Sequence, residues 1–149
     1  TKLYNKYKKN YYVYTDPDIL PTTECPDDFL EYFKNCLLNN KDIEKVGFGL
    51  KIDDLPENEN KKNIISFEKK FWEKKVDNKF FSAPIDTTFA LYRPYSFGGY
   101  WLKSLRSDDP YLARHLTWYD DKDLNEDVFY NKNINRKSSF YSNKRFLNY

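Results

Sequence analysis

Tyr11-Tyr12-Val13-Tyr14-Thr15-Asp16-Pro17-Asp18 is the stretch on which the fold turns. Aromatic and β-branched residues suit a pleated, packed surface, so residues 11–15 predict a buried strand. Proline cannot donate to a sheet ladder, and the strand should stop at Asp16-Pro17-Asp18. Two further β-forming runs follow, Val46-Gly47-Phe48-Gly49-Leu50-Lys51-Ile52 and Thr87-Thr88-Phe89-Ala90-Leu91-Tyr92, which predict strands near 45–52 and 86–92. Between the first two, Pro26-Asp27-Asp28 reads as a helix start, with proline at the first position and acids in the first turn. Phe29, Leu30, Phe33, Leu37 and Leu38 then form a one-sided stripe, which predicts a helix over 26–38. Strand, helix, strand, helix, strand is the pattern of an α/β sheet, whose functional loops lie beyond the carboxyl ends of its strands.

The weaker segments are read in the same way. Leu3 and Tyr7 have the spacing of an amphipathic helix, and residues 57–63 form a solvated loop. Phe67, Phe71 and Trp72 lie on a short helix, Gly98-Gly99 marks a turn, and Trp101-Leu102-Leu105 suggests a helical turn. Residues 111–118 read as a fourth extended piece. From Asp120 the chain is polar, and 120–149 is expected to be a peripheral tail of a single domain spanning 1–149.

Composition excludes several classes. Lys plus Arg is 25 and Asp plus Glu 23, a net charge of +2, which argues against a nucleic-acid binder driven by bulk charge. A mean hydropathy of −0.91 leans towards disorder, but aromatic residues make up 19% of the chain and each buries a large area. The chain therefore reads as a folded domain. It holds no run of about 18 apolar residues and opens with no signal peptide, so no transmembrane segment is expected. Cys25 and Cys36 would stand about 16 Å apart along the predicted helix, beyond disulfide reach. Reduced thiols imply a cytoplasmic location. A start at Thr1 without any Met suggests a fragment.

Three predicted strands meet acids, and this coincidence carries the chemistry. Asp16 and Asp18 lie two apart at a strand end, on one face in extended geometry, and their oxygens suit Mg²⁺ or Mn²⁺. Read alone, the tripeptide is better explained as an ordinary turn. Together the segments resemble nucleotide-sugar glycosyltransferases of the GT-A fold, family-two-like, in which Tyr12-Val13-Tyr14-Thr15-Asp16-Pro17-Asp18 matches the metal-binding Asp-X-Asp. The runs at 46–56, 85–93 and 113–119 are similar to a bacterial subgroup, in order along residues 10–120. That resemblance implies a GT-A-like mixed sheet with flanking helices and transfer of a sugar to a saccharide acceptor. It also implies that the N-terminal nucleotide-binding half is missing. By the same analogy Asp18 binds the metal, Asp16 the ribose or a metal-bound water, and His115 completes the metal shell. A histidine hydrogen-bonded beside Trp118 is the alternative.

Asp86 and Asp54 are the two candidate bases for the acceptor hydroxyl, with a salt bridge or an exposed turn as the plainer reading of each. Arg93, Arg106 and Arg114 match a diphosphate leaving group, or else pair with nearby acids. Trp72, Trp101 and Trp118 would stack on sugars or fill the core. The lysine pairs at 8–9, 61–62, 69–70 and 74–75 read as solvated faces with at most a weak peripheral attraction to anionic lipid. A truncated module that binds a saccharide or a partner without turnover is the rival to the enzyme.

Overall fold

The structure, a computed structural model, describes residues 2–58, 60–119 and 132. The elements in chain order are α1 (Lys2–Tyr7), β1 (Tyr12–Tyr14), β2 (Ile19–Pro21), α2 (Phe29–Asn39), β3 (Lys45–Gly47) and β4 (Gly49–Leu50). There follow α3 (Lys61–Glu68), a 3-10 turn at Lys69–Trp72, β5 (Phe80–Ser82), β6 (Ala90–Tyr92), β7 (Ser104–Ser107), β8 (Leu112–His115) and a 3-10 turn at Leu116–Trp118. They belong to one compact unit, Thr1–Tyr119. The expected polar tail lies outside the described residues.

The fold is α/β with mixed sheets and flanking helices. The larger sheet has the order β1-β6-β3-β7-β5, and only β3 and β7 run parallel in it. The smaller has the order β2-β8-β4, with β4 parallel to β8. The single strand expected at 45–52 is thus two strands, one in each sheet. The chain crosses between them at Phe48, which is 1% exposed. Glycine is required on both sides of the crossing. A Cβ on Gly47 would stand 2.1 Å from the Phe89 carbonyl oxygen, and one on Gly49 would stand 2.3 Å from that of Ser107.

The partner segment makes the same crossing with more chain, leaving the larger sheet after β7 and joining the smaller at β8. Ser107, fully buried, stitches the two crossings together. Its hydroxyl stands 2.5 Å from the Tyr111 carbonyl oxygen and 3.2 Å from that of Gly47, and it accepts the Gly49 N–H at 3.4 Å.

Helix α2 begins three residues later than predicted, and its buried stripe of Phe33, Cys36 and Leu37 packs on β3 and β6. Phe48 is surrounded by rings, with Phe33 at 5.0 Å, Phe89 at 4.9 Å and Phe29 at 5.2 Å between centroids. Both cysteines are free. Strand β1 corrects the sequence reading, because it is an edge strand with Tyr14 53% exposed rather than a buried one. Tyr12 nonetheless stacks on Tyr92 at 4.9 Å and donates its hydroxyl to the Ser96 carbonyl at 2.7 Å. Three further readings change. Leu105 lies on β7 and not in a helical turn, residues 61–63 belong to α3, and the strand expected near 86–92 shortens to β6 at Ala90–Tyr92.

Because the crossing admits neither a Cβ nor the loss of its hydroxyl, it should be the most substitution-sensitive point of the fold. Gly49→Ala forces backbone movement and should cost at least about 2 kcal/mol or prevent folding. Ser107→Ala orphans buried polar groups and should cost about 1–3 kcal/mol. Urea unfolding midpoints of the two variants check this, and Gly99→Ala, whose Cβ would have 3.7 Å of clearance, serves as the control.

Candidate functional site

The pairing of β2 with β8 places Ile19 opposite His115 and brings the preceding Asp18 to the same imidazole. His115 Nε2 lies 3.2 Å from Asp18 Oδ2. The Leu116 N–H donates to the Asp18 carbonyl at 2.8 Å and fixes the two segments together. His115 Nδ1 stands 3.0 Å from the Thr117 hydroxyl, and the ring meets Trp118 edge-on at 4.9 Å. Histidine is therefore both beside Trp118 and in contact with the expected metal-binding acid. Asp18 Oδ1 is buried and has no hydrogen-bond partner among the described residues. A buried oxygen with an open lone pair is costly unless something fills it.

Asp16 is held separately. Its carboxylate accepts the Thr87 hydroxyl, and its N–H donates to the Thr87 carbonyl at 3.0 Å. Among the described residues no three His, Cys, Asp or Glu side chains gather as a metal cluster. Of the expected set Asp16, Asp18 and His115, the structure thus brings the last two together.

This pair passes a simple geometric test for a cation. Two ligands at about 2.1 Å from one ion, at right angles, stand about 3 Å apart. The 3.2 Å between Asp18 and His115 matches that spacing, and the open Oδ1 supplies a lone pair. The imidazole is oriented through its other nitrogen by Thr117, as metal-bound histidines commonly are. Mn²⁺ and Mg²⁺ need only one or two protein carboxylates when phosphate and water oxygens complete the shell.

Asp54 is committed elsewhere. Arg114 donates to its Oδ2 from Nε at 3.0 Å and from Nη2 at 2.5 Å, and the Tyr119 hydroxyl is 2.6 Å from Oδ1. Burial pushes the Asp54 carboxyl up, but hydrogen bonds from Tyr119 and Arg114 outweigh it and hold the group below the usual range. Side chains alternate along a strand, so Arg114 and His115 leave β8 on opposite faces.

Arg93 lies at the far end of β6 from Asp16. Its Nε donates to the Ile43 carbonyl and its Nη2 to those of Leu37 and Asn40, closing the C-terminus of α2. Arg106 is buried against Glu68 and donates to the Pro84 carbonyl at 2.9 Å, with Phe71 under its guanidinium at 4.2 Å. Burial raises the Glu68 carboxyl and lowers the Arg106 guanidinium, and the charge of each partner opposes both shifts.

Asp86 is exposed and borders a groove of about 780 Å³ whose walls include Tyr4, Tyr12, Phe97 and Trp101. Trp101 is 77% exposed, whereas Trp72 and Trp118 are half-buried. Beneath the groove runs a feature that sequence reasoning missed. Lys45, fully buried, donates from Nζ to the Ile85 carbonyl at 2.5 Å and the Gly99 carbonyl at 2.9 Å, and stands 3.5 Å from the Tyr92 hydroxyl. One ammonium thus ties the turn carrying Asp86 to the turn carrying Trp101. Its signal was present only as a lysine at the head of a β-forming run, where a solvated residue is the ordinary reading. Burial pushes Lys45 down to about 8, partly opposed by the charge of Asp86.

Compared with known protein families, curated proteins and solved structures, the chain matches none. The site must be read from its own geometry.

The lysine staple gives a pH signature. Between about pH 8 and 10.5 the unfolded chain holds a Lys45 proton that the folded one has released, so stability should rise with pH across that window. The full rise is about 3 kcal/mol, and it is lost again as pH falls through 8. Tyr32 and Tyr92, raised to about 12, act in the opposite direction above pH 10, and the Cys36 thiol, pushed up to about 11 by burial, does so from about pH 9. Urea midpoints from pH 7.5 to 9 should therefore climb in the native protein and lose that climb in Lys45→Met.

Proposed function

We propose that this chain is the metal- and acceptor-binding part of a GT-A-like glycosyltransferase, moving a sugar from a nucleotide diphosphate sugar to a saccharide acceptor. The observation that carries the reading is the contact of Asp18 with His115 beside the unpartnered Asp18 Oδ1. Asp18 and His115 would hold Mn²⁺ or Mg²⁺, with Thr117 fixing the imidazole. When bound, such a cation neutralises charge that develops on a leaving diphosphate. Asp16, anchored on Thr87, keeps its second carboxylate oxygen for a ribose hydroxyl or a water.

Asp86 is the base in this reading. It is exposed on the rim of the aromatic groove, where an acceptor hydroxyl can approach it and Trp101 offers a face for a sugar ring to stack on. Asp54 is the poorer choice, because Arg114 and Tyr119 stabilise it as an anion and so weaken it as a base. Arg93 and Arg114 already have acceptors for their guanidinium groups, so no role at the diphosphate is assigned to them. The apolar character of the groove favours a second reading, a module that binds a saccharide without turnover.

The test is Mn²⁺ affinity set beside sugar transfer, measured on the complete protein. Asp18→Asn and His115→Ala should each weaken Mn²⁺ binding about 10–100-fold and slow transfer about 10²–10³-fold. Asp86→Asn should slow transfer while leaving Mn²⁺ and donor affinity near their native values. Saccharide binding with no transfer from any nucleotide sugar would establish the second reading, and no Mn²⁺ binding by the native protein would remove the metal site.

A further inference from the structure

The face around the groove carries both apolar and positive groups in unusual concentration. Among the described residues thirteen large apolar side chains are exposed, and eight of them come from residues 3–14 and 95–101. Leu3 is 70% exposed, Tyr95 63%, Phe97 62% and Trp101 77%. The two segments are one surface. The Tyr4 ring lies 4.5 Å from that of Phe97, the Tyr4 hydroxyl donates to the Tyr95 carbonyl at 3.1 Å, and the Tyr95 N–H donates to the Lys8 carbonyl at 2.7 Å.

Those bonds hold Tyr95 at φ +66°, a left-handed conformation that costs a non-glycine residue energy. Gly98, at φ +149°, has room for the Trp101 indole where a Cβ would stand 2.9 Å from the ring. Phe97 and Trp101 thus wall the groove and remain exposed to solvent.

Positive charge outnumbers negative along the first of these two segments. Residues 2–15 include Lys2, Lys6, Lys8 and Lys9 and no acid, although the whole chain is only +2. None of the four makes a salt bridge among the described residues. Asp86 is the one acid lining the groove.

We propose that this face docks on an anionic lipid bilayer. Trp101, Phe97 and Leu3 enter at headgroup depth, and the four lysines meet the lipid phosphates. Trp and Tyr suit that boundary because the ring prefers an apolar phase while the N–H or hydroxyl stays wet. Cations flanking such a patch supply the second signal that reversible membrane binding needs. The proposal rests on the surface alone and is independent of glycosyl transfer.

Flotation of the complete protein with vesicles of phosphatidylcholine containing 30 mol% phosphatidylglycerol tests it, set against vesicles of phosphatidylcholine only. Binding to the anionic vesicles is expected, with a blue shift of tryptophan emission that Trp101→Phe removes. Trp101→Ser should weaken binding roughly tenfold. Replacing Lys2, Lys6, Lys8 and Lys9 by Gln should weaken it on the order of a hundredfold or more. Replacing Lys62, Lys69, Lys70 and Lys74 by Gln controls for bulk charge and should change it less than threefold. All these side chains are at the surface, and circular dichroism verifies that each variant folds. The proposal is overturned by absence of binding to the anionic vesicles, by equal binding to both vesicle types, or by a control variant that loses as much as the α1 variant. A soluble saccharide that occupies the groove without any vesicle binding would overturn it too.

Discussion

The crossing of the chain between two sheets at Gly47-Phe48-Gly49 is the constraint on which the rest of the structure depends. Two parallel segments leave one sheet and join another, the first in a single residue and the second after a longer excursion. Phe48 points into a ring of phenylalanines at the crossing, and the Ser107 hydroxyl ties both backbones there. The functional geometry follows from this joint. Because β8 continues into the smaller sheet, it can pair with β2 and bring His115 to Asp18. Because β3 stays in the larger sheet, Lys45 lies under the groove that Asp86 borders.

Buried and half-buried charge is handled in three different ways, and each fixes a different part of the fold. Arg106 and Glu68 neutralise one another, and removing either would strand a buried charge at a cost of about 3–5 kcal/mol. Lys45 has no carboxylate in hydrogen-bond contact and is held by carbonyl oxygens, so its burial lowers its proton affinity instead. Arg93 uses three carbonyls to finish α2. Each cation joins segments that are distant in sequence. They therefore act as fasteners more than as sources of net stability, since the desolvation of buried charge offsets much of the attraction gained.

Local physics was legible in the sequence and distant partners were not. The stripe of Phe29, Leu30, Phe33, Leu37 and Leu38 announces α2, and the β-forming run at 11–15 announces β1, because propensity and periodicity act over a few residues. That β1 lies at an edge depends on which strands flank it, which no local pattern encodes. The same limit applied to the arginines. A guanidinium suits a phosphate, a carboxylate or a backbone carbonyl equally well by type, and only the fold chose Glu68 for Arg106, Asp54 for Arg114 and the end of α2 for Arg93. Asp18 meets His115 across the fold, while Asp16, two residues from Asp18, turns instead to Thr87.

Alternation along β8 separates two acid clusters that the sequence left equivalent. Arg114 leaves the strand on one face with Asp54 and Tyr119, and His115 leaves on the other with Asp18. A proton acceptor at Asp54 would therefore have to work on the opposite side of the sheet from the candidate cation. Thr87 resolves the geometry differently. It joins Asp16 through its hydroxyl and follows Asp86 directly in the chain, so the groove and the Asp16 turn share one short stretch of backbone. Asp86 and Asp16 thus lie along the β1–β6 margin of the larger sheet, and Asp18 lies at the β2–β8 margin of the smaller. The four residues between Tyr14 and Ile19 link those margins directly, and the proline between the two aspartates stiffens the link.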